Sequence, residues 1–468
     1  MPAGENGVGD RRSFLRAGAQ LAGAAMVAAP LRALLSRSAA GAPGCSDYGE
    51  LVPTKDDRTG LPLLKLPRGF RYVSFGWTGD PLCDGTTTPP LHDGMAVVDA
   101  AGPRIVLIRN HEVSGNGTSF AGAEITFDPK APGGTSTLVF NTSTGELETA
   151  RPSLSGTLRN CAGGPTPWHS WLTCEETVLA PNDVTGEPPN QETMLLEREH
   201  GWIFEVPARA RAKPVPLTDM GRFVHEAIAV DPRTGIVYET EDHTPAGFYR
   251  FVPNQPGELE RGGRLEMLTA GGRDDLRKGV PLDRVFDVRW VPIDDPTLAH
   301  SPDSKDGGGV FAQGKALGGA SFARLEGCWY GQGIIYFAST SGGDAGMGQI
   351  WAYDPRSEKL RLVFESPGAD VLNHPDNVTV SPRGGLLLCE DGDGAPQRLH
   401  ALTTDGRLFP FAENHIRLDA ERNGISGDFR QQEWCGATFS PDGDWLFVNI
   451  QTPGITFAIT GPWSSGVL

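Results

Sequence analysis

Acidic side chains recur in this sequence at a fixed distance from short apolar segments. Four segments share one pattern, in which an acid, an apolar stretch, a glycine-containing turn and a second apolar stretch are followed by a polar residue or a pair of acids. They span residues 226–242, 326–340, 376–391 and 433–449. Two looser copies lie at residues 93–112 and 160–176. Oxygen-rich groups of this kind bind hard cations such as Ca²⁺.

Gathering these carboxylates in one place requires compensating positive charge. Two like charges about 4 Å apart repel by several kcal/mol at an intermediate dielectric constant. Protonation can relieve one pair, whereas a ring of acids from six segments needs bound cations. The alternative interpretation is that these acids end their strands in water, which is reasonable for a single acid but weaker for a position that recurs six times.

The candidate metal ligands occupy the acid positions of the six segments and include one thiol. They are Glu112, Cys174, Glu175, Glu226, Glu241, Asp242, Glu326, Asp376, Glu390, Asp391 and Glu433. Cys174 precedes two glutamates, and a thiolate there favours a transition metal such as iron or zinc. A buried, purely apolar role for Cys174 is the alternative. Cys161, Cys328 and Cys435 lie beside leading positions and are interpreted as packing residues, and Cys389 as a core residue.

The candidate catalytic residues are Arg324, Asn110 and Glu326. Arg324 precedes Glu326 by two residues, so both side chains point the same way on an extended strand. An arginine beside metal-bound carboxylates can bind a phosphate through two parallel hydrogen bonds. Asn110 lies at the end of another segment and could donate to a substrate oxygen. A surface ion pair is the alternative for Arg324.

The elements that position these residues are predicted to be antiparallel hairpins. In a hairpin, the start of the first strand and the end of the second lie side by side, so the leading and closing acids meet. Six hairpins arranged radially bring their open ends to one axis, as in a β-propeller. The 61 glycines and 38 prolines suit many short strands and turns. We predict an all-β fold, a six-bladed propeller with insertions between strands, over residues 43–468.

The first 42 residues are predicted to be a twin-arginine signal peptide. Arg11 and Arg12 begin the motif, and a run of small apolar residues follows at 17–30. This run is too short to be a firm membrane anchor. We therefore expect export by the twin-arginine translocase and a periplasmic or extracellular location. Lipid attachment at Cys45 is a less favoured alternative.

The net charge and the absence of certain sequence motifs disfavour some partners and some reaction types. The formal net charge is −17, which disfavours nucleic acid and anionic membranes as partners. The sequence contains neither a P-loop nor a G-x-S-x-G motif, so serine hydrolase chemistry is not indicated. We expect a monomer with no integral membrane domain.

The same motifs resemble those of the PhoX-type alkaline phosphatases. The resemblance runs from about residue 66 to residue 463 and rests on the stretches 109–112, 171–176, 225–242, 322–327, 375–392 and 433–454. It implies a six-bladed propeller that hydrolyses phosphate esters with two ferric ions and three calcium ions bridged by an oxo group. By this resemblance, Cys174, Glu226 and Glu326 are the closest matches to the iron ligands. It also implies that Arg324 binds the substrate phosphate, while acids at the remaining positions bind calcium.

Two features separate this chain from better-known members of that family. It is shorter, and Arg324-Leu325-Glu326 lacks a proline associated with the motif, which puts substrate range in doubt more than fold. Two other functions remain open on the sequence alone. One is a calcium-dependent lactonase or phosphotriesterase-like propeller, which would need no iron and no Cys174. The other is a non-catalytic propeller that binds a protein or glycan.

Overall fold

The computed structural model describes residues 46–187, 189–282, 284–301, 308–394, 396–403 and 405–468. The predicted signal peptide at residues 1–42 and Cys45 lie outside the described residues. Antiparallel strands dominate the described chain, as the sequence predicts. Within it, no helix has the length and apolar character needed to cross a membrane.

The chain begins with three short strands and continues into blades 1 and 2. The first three are β1 (Leu51–Thr54), β2 (Leu64–Pro67) and β3 (Arg71–Phe75). Blade 1 consists of β4 (His92–Ala101), β5 (Arg104–His111), β6 (Gly133–Asn141) and β7 (Glu146–Thr157). Blade 2 begins with β8 (Asn160–Pro165) and β9 (Ser170–Glu175), continues through an inserted hairpin of β10 (Val184–Thr185) and β11 (Glu192–Thr193), and ends with β12 (Ile203–Pro207).

Blades 3 and 4 share one continuous sheet. Blade 3 consists of β13 (His225–Val230), β14 (Val237–Glu241), β15 (Phe248–Pro253) and β16 (Gly263–Ala270). The next strand, β17 (Val285–Pro292), is followed by the single α-helix of the described residues, α1 (Gly309–Ala316). Blade 4 consists of β18 (Leu325–Gly331), β19 (Ile334–Ser339), β20 (Gln349–Asp354) and β21 (Lys359–Glu365). β17 pairs with both β16 and β21, which joins the outer edges of the two blades.

Blades 5 and 6 complete the circle. Blade 5 consists of β22 (Pro375–Val380), β23 (Leu386–Glu390), β24 (Arg398–Leu402) and β25 (Leu408–Asn414). A hairpin of β26 (Arg417–Arg422) and β27 (Ile425–Asp428) leads to blade 6, which contains β28 (Trp434–Phe439), β29 (Trp445–Ile450) and β30 (Ile455–Thr460). Short 3₁₀ turns lie at Ala123–Ile125, Thr218–Met220, Leu259–Arg261 and Trp463–Ser465.

The first strand of each blade lies at the centre of the molecule. The strands β4, β8, β13, β18, β22 and β28 contact one another in that order, and β28 contacts β4. The N-terminal segment closes the ring, since β3 pairs with β30 as the outer strand of blade 6 and β2 pairs with β25 of blade 5. The predicted six-bladed propeller is confirmed.

Apolar side chains on both faces of the blades hold the ring together. Strand β19 is buried along its whole length because blades pack against both of its faces. Between blades 3 and 4, Phe248 stacks on Phe337 with ring centroids 4.2 Å apart, and Phe337 stacks on Trp351. Burying such side chains stabilises the fold by about 1.5–3 kcal/mol each.

Every innermost strand contains a β-bulge near its start. In blade 1, the four residues of β4 from His92 to Met95 lie opposite the three residues of β5 from His111 to Arg109, and blades 2 to 6 repeat this shift. A bulge inserts one residue and re-aims the side chains around it. Glycine permits the close approach of neighbouring blades there: a Cβ on Gly94 would lie 2.6 Å from Cα of Ala162, and one on Gly327 would lie 2.7 Å from Cα of Asn377.

Candidate metal centre

The bulges bring one side chain per blade to the axis from the second position of the innermost strand. In blades 1 to 5 these residues are Asp93, Cys161, Glu226, Glu326 and Asp376. In blade 6 the equivalent residue is Cys435, and Glu433 supplies a carboxylate from two residues earlier. The bulged strands therefore place acids of blades 1, 3, 4 and 5 and thiols of blades 2 and 6 near a common centre, where Glu433 adds a carboxylate from just before β28.

A second set of polar residues follows the second strand of each blade. These residues are Glu112, Glu176, Asp242, Thr340, Asp391 and Gln451. Each donates its backbone N–H to the carbonyl oxygen of the residue that precedes the innermost strand, as Glu176 does to Arg159 at 2.9 Å and Asp242 to Val224 at 3.0 Å. These hydrogen bonds hold the open end of every hairpin together, as the sequence predicts.

Atoms that could bind a metal form three overlapping groups. Within each group, the ligand atoms lie within 4.8 Å of one another. The groups are Asp93 with Glu112 and Cys161; Cys161 with Glu176 and Glu226; and Glu226 with Glu326 and Asp376. The thiol Sγ of Cys161 lies 3.6 Å from Oδ2 of Asp93 and 3.4 Å from Oε1 of Glu226. The shared members make one continuous cluster, which we call the axial cluster.

Burial and mutual repulsion disfavour the charged forms of these acids. Burial, followed by repulsion from neighbouring carboxylates, raises the pKa of Asp93, Glu226 and Glu326 well above the usual range and that of Asp376 to about 8. Oδ1 of Asp93, Oε2 of Glu226 and Oδ1 of Asp376 have no hydrogen-bond partner within the described part of the chain. Buried carboxylate oxygens without partners are costly, so the donor set fits bound cations.

Two arginines flank the axial cluster at equivalent positions. Arg159 and Arg324 each immediately precede an innermost strand, and both adopt a left-handed backbone conformation with φ of 52° and 47°. Arg324 binds Asp242 through Nε at 2.8 Å and Nη2 at 2.9 Å, and its Nη2 lies 2.8 Å from Oε1 of Glu326. Arg159 places Nε 3.1 Å from Glu112 and 3.0 Å from Glu176. Leu91 and His374 adopt the same conformation at the equivalent positions of blades 1 and 5, so this backbone geometry belongs to the propeller repeat.

A family model described as alkaline phosphatase PhoX matches residues 46–154 and 139–454, most of the chain. The chain belongs to this family. The predicted resemblance is thereby confirmed. Metal dependence follows as a property of the PhoX family, and the axial cluster supplies candidate ligands for the ions.

One solved structure agrees with this assignment at the level of the fold. Pseudomonas fluorescens PhoX in complex with vanadate, a transition state analogue, is similar with a TM-score of 0.63 at 18% identity, over 90% of this chain and 98% of that chain. A gluconolactonase from Xanthomonas campestris gives a TM-score of 0.42 at 12% identity, over 88% and 98% of the two chains. A search of curated protein sequences found no significant match.

Seven of the eleven predicted ligands belong to the axial cluster or lie beside it. Glu112, Glu226, Glu326 and Asp376 belong to the three groups. Asp242 is joined to Glu326 through Arg324, and Asp391 and Glu433 lie beside each other and near Asp376. Asp93 and Glu176, which the candidate set omits, also belong to the groups.

Three of the predicted ligands lie one residue away from the ring and face outward. Glu175, Glu241 and Glu390 are the last residues of their strands, and side chains alternate along a strand. Glu175 accepts hydrogen bonds from N of Leu158 at 2.8 Å and N of Gly201 at 2.9 Å. Glu241 and Glu390 likewise accept from backbone amides of nearby loops. These acids therefore anchor loops and do not reach the axial cluster.

Cys174 also lies away from the axial cluster. Its side chain packs between blades 2 and 3 with Leu172, Ile203 and Ile228. The thiol within the axial cluster belongs to Cys161 instead, the residue interpreted from the sequence as packing. The signal in the sequence was the position of Cys161 directly after the first residue of β8, equivalent to Asp93 after His92.

Asn110, predicted to contact substrate, is fully buried and has both ends of its amide engaged. Nδ2 donates to the carbonyl oxygens of Cys161 at 2.9 Å and Ala162 at 2.7 Å. Oδ1 accepts from Nε1 of Trp171 and Oγ1 of Thr173, each at 2.9 Å. Asn110 therefore holds the bulge that carries Cys161 and has no hydrogen-bonding group left for a substrate.

Proposed function

We propose that this protein is a metal-dependent phosphatase that hydrolyses phosphate esters with Ca²⁺ and Fe³⁺ bound at the axial cluster. The observation that carries the proposal is a buried set of unpartnered carboxylate oxygens, with one thiol and two arginines, on a chain of the PhoX family. Buried carboxylates packed this closely need bound cations to compensate their charge. Arginine is suited to bind phosphate oxygens.

The chemistry of the donors supports two kinds of ion. Glu226, Glu326 and Asp376 offer only oxygen atoms, which suits calcium. Cys161 supplies a sulfur ligand in two of the three ligand groups, which suits a transition metal such as iron. When bound, such ions supply positive charge that polarises a phosphoryl group.

Arg324 is suited to bind and orient the phosphate. Asp242 and Glu326 hold its Nε and Nη2, so the guanidinium has a fixed direction beside the axial cluster. Its Nη1 makes no hydrogen bond to any described residue, and the side chain is 41% exposed. An arginine fixed before substrate arrives loses little entropy on binding, and its charge stabilises the negative charge that builds up on the phosphate oxygens.

The cellular setting is part of the proposal. The twin-arginine motif supports export of the folded protein by the twin-arginine translocase to the periplasm or the extracellular space. Folding before export allows metals to load in the cytoplasm. A monomer is consistent with a propeller whose ring is closed within one chain. Changing Arg11 and Arg12 to lysine should retain the protein in the cytoplasm, as cell fractionation would show.

The sharpest test compares two cysteines that differ in distance from the axial cluster. Cys161→Ser should lose bound iron and most hydrolysis of para-nitrophenyl phosphate, because serine is a poor ligand for a soft site. Cys174→Ser is the matched control and should keep iron and activity while losing some stability. Elemental analysis and the assay, each with and without chelator, provide the measurements. Full activity in metal-stripped protein, or iron that depends on Cys174 and not on Cys161, would contradict the proposal.

A further inference from the structure

A cavity opens directly beside the axial cluster on the side of Arg159. Its volume is about 490 Å³, within the range of small-molecule sites. Arg159, Glu176 and Asp242 line the wall nearest the axis. Apolar residues and the inserted hairpin β10–β11 form much of the remaining wall, where Glu192 is bound by Nδ2 of Asn116 at 2.8 Å.

The two arginines use their guanidinium groups differently. Arg324 is bound to the protein through both Nε and a terminal nitrogen. Arg159 is anchored through Nε alone, between Glu112 and Glu176, and its side chain is 46% exposed. Neither Nη1 nor Nη2 of Arg159 forms a hydrogen bond within the described ranges. Its terminal nitrogens are therefore available to a ligand in the cavity.

Two acids, Glu176 and Asp242, lie between the two arginines. Arg159 contacts Glu176, Glu176 lies beside Asp242, and Asp242 binds Arg324. A phosphate held by Arg324 at the axial cluster would leave Arg159 beside whatever part of the substrate occupies the cavity. A guanidinium with two free terminal nitrogens matches a carboxylate or a second phosphate, which can accept two parallel hydrogen bonds.

We propose that Arg159 binds a second anionic group of the substrate, so that the enzyme prefers phosphate esters whose alcohol part carries a carboxylate or another phosphate. This inference rests on the proposed function for the position of the reacting phosphate. It makes Arg159 a specificity-determining residue, with the cavity as the site of the alcohol part.

Two non-hydrolysable ligands test the proposal without turnover. Phosphonoacetate carries a carboxylate where 2-hydroxyethylphosphonate carries a neutral hydroxymethyl group, and both have the same phosphonate. By calorimetric titration of the metal-loaded protein, phosphonoacetate should bind at least about 10-fold more tightly, the usual size of a charge-assisted hydrogen bond. Arg159→Gln should reduce this gap to about 2-fold and leave the affinity for 2-hydroxyethylphosphonate nearly unchanged.

Two further variants separate Arg159 from general charge effects. Arg233→Gln removes the same charge at a turn where Arg233 binds Asp231, and it should retain the full gap. Arg159→Lys keeps a positive charge near Glu112 and Glu176 but not the planar fork, so it should retain the metals and only part of the gap. If Arg159→Gln loses metal, the binding gap measured in Arg159→Lys tests the proposal instead. Equal binding of the two ligands by the wild type, or a full gap in Arg159→Lys, would overturn the inference.

Turnover distinguishes this inference from the proposed function. The substrates 3-phosphoglycerate and glycerol 3-phosphate differ by the same change from carboxylate to hydroxymethyl. Hydrolysis of both with equal kcat/KM, together with equal phosphonate binding, would remove the role of Arg159 and leave the phosphatase intact. An Arg159-dependent binding gap in a metal-loaded protein that hydrolyses no phosphate ester would support the role of Arg159 and refute the phosphatase.

Discussion

Buried acids lie in two registers of this propeller. The axial register faces the centre and includes Glu226 and Glu326, and the outer register, one residue away, comprises Glu175, Glu241 and Glu390. The surroundings of the two registers differ. Glu390 ends strand β23 and accepts hydrogen bonds from the backbone amides of Asn373 and Arg398 and from the side chains of Arg398 and His400. Burial alone would raise its pKa, but these donors hold the pKa of Glu390 below the usual value. Glu226, at the axis, has an oxygen with no partner among the described residues, and burial and nearby acids raise its pKa. Burial is common to both, so the available donors distinguish a structural acid from a candidate metal ligand.

The largest expected effect is a loss of activity when an acid of the axial register is substituted. Glu326→Gln should lower kcat by at least about 100-fold, since it removes a candidate metal ligand and a contact that orients Arg324. Removing one negative charge from the cluster should also leave the metal-free protein as stable as before or more so. Kinetics with para-nitrophenyl phosphate and denaturant unfolding after chelation measure the two effects. A variant with normal kcat would place the chemistry elsewhere.

Removing the metals should expose the strain within the axial cluster as a dependence on pH. The pKa of Asp376 is about 8 in the folded chain, far above its ordinary value of 3.8. Its protonation therefore stabilises the metal-free fold at low pH, and this contribution is lost as the pH rises through about 8. We expect the melting temperature of chelated protein to fall between pH 6 and pH 9. The metal-loaded protein should change much less, and parallel curves for both forms would contradict cation compensation.

This contrast between registers also explains how far the sequence could lead. The repeat predicts the hairpins, the six blades and the meeting of leading and closing acids, because alternation and turn chemistry are local properties. It does not reveal the β-bulge, which shifts the pairing by one residue. A shift of one residue sends a side chain to the opposite face. The bulge carries Cys161 of β8 toward the axis, whereas Cys174 lies on the partner strand β9 and packs between blades 2 and 3. Glu175 and Glu176 are neighbours at the end of β9, and the sequence does not show which of the two turns toward the axis.

The outer register should affect stability more than chemistry. Glu390→Gln keeps the shape of the side chain but leaves Arg398 and the buried His400 without a charged partner. Breaking a buried ion pair costs about 3–5 kcal/mol. We expect a loss of this order in the free energy of unfolding, with kcat for the correctly folded fraction within about 3-fold of wild type. A large loss of activity without destabilisation would place Glu390 in the catalytic machinery.

His200 offers the test with the smallest expected effect. It contacts Glu175, an acid of the outer register, and its protonation should change stability with pH. Its Nδ1 lies 2.6 Å from Oε1 of Glu175, and its Nε2 lies 3.3 Å from Oδ2 of Asp128. Burial alone would lower its pKa, but the two carboxylates raise the pKa of His200 to about 9. The folded state thus binds a proton more tightly than the unfolded chain, whose histidines titrate near pH 6.5. This contribution, about 3 kcal/mol, is fully present below pH 6.5 and is lost as the pH rises through about 9. The difference in unfolding free energy between wild type and His200→Asn should therefore shrink from pH 6 to pH 10. A difference that stays constant would mean that His200 is neutral in the fold and that Glu175 is held by its backbone donors alone.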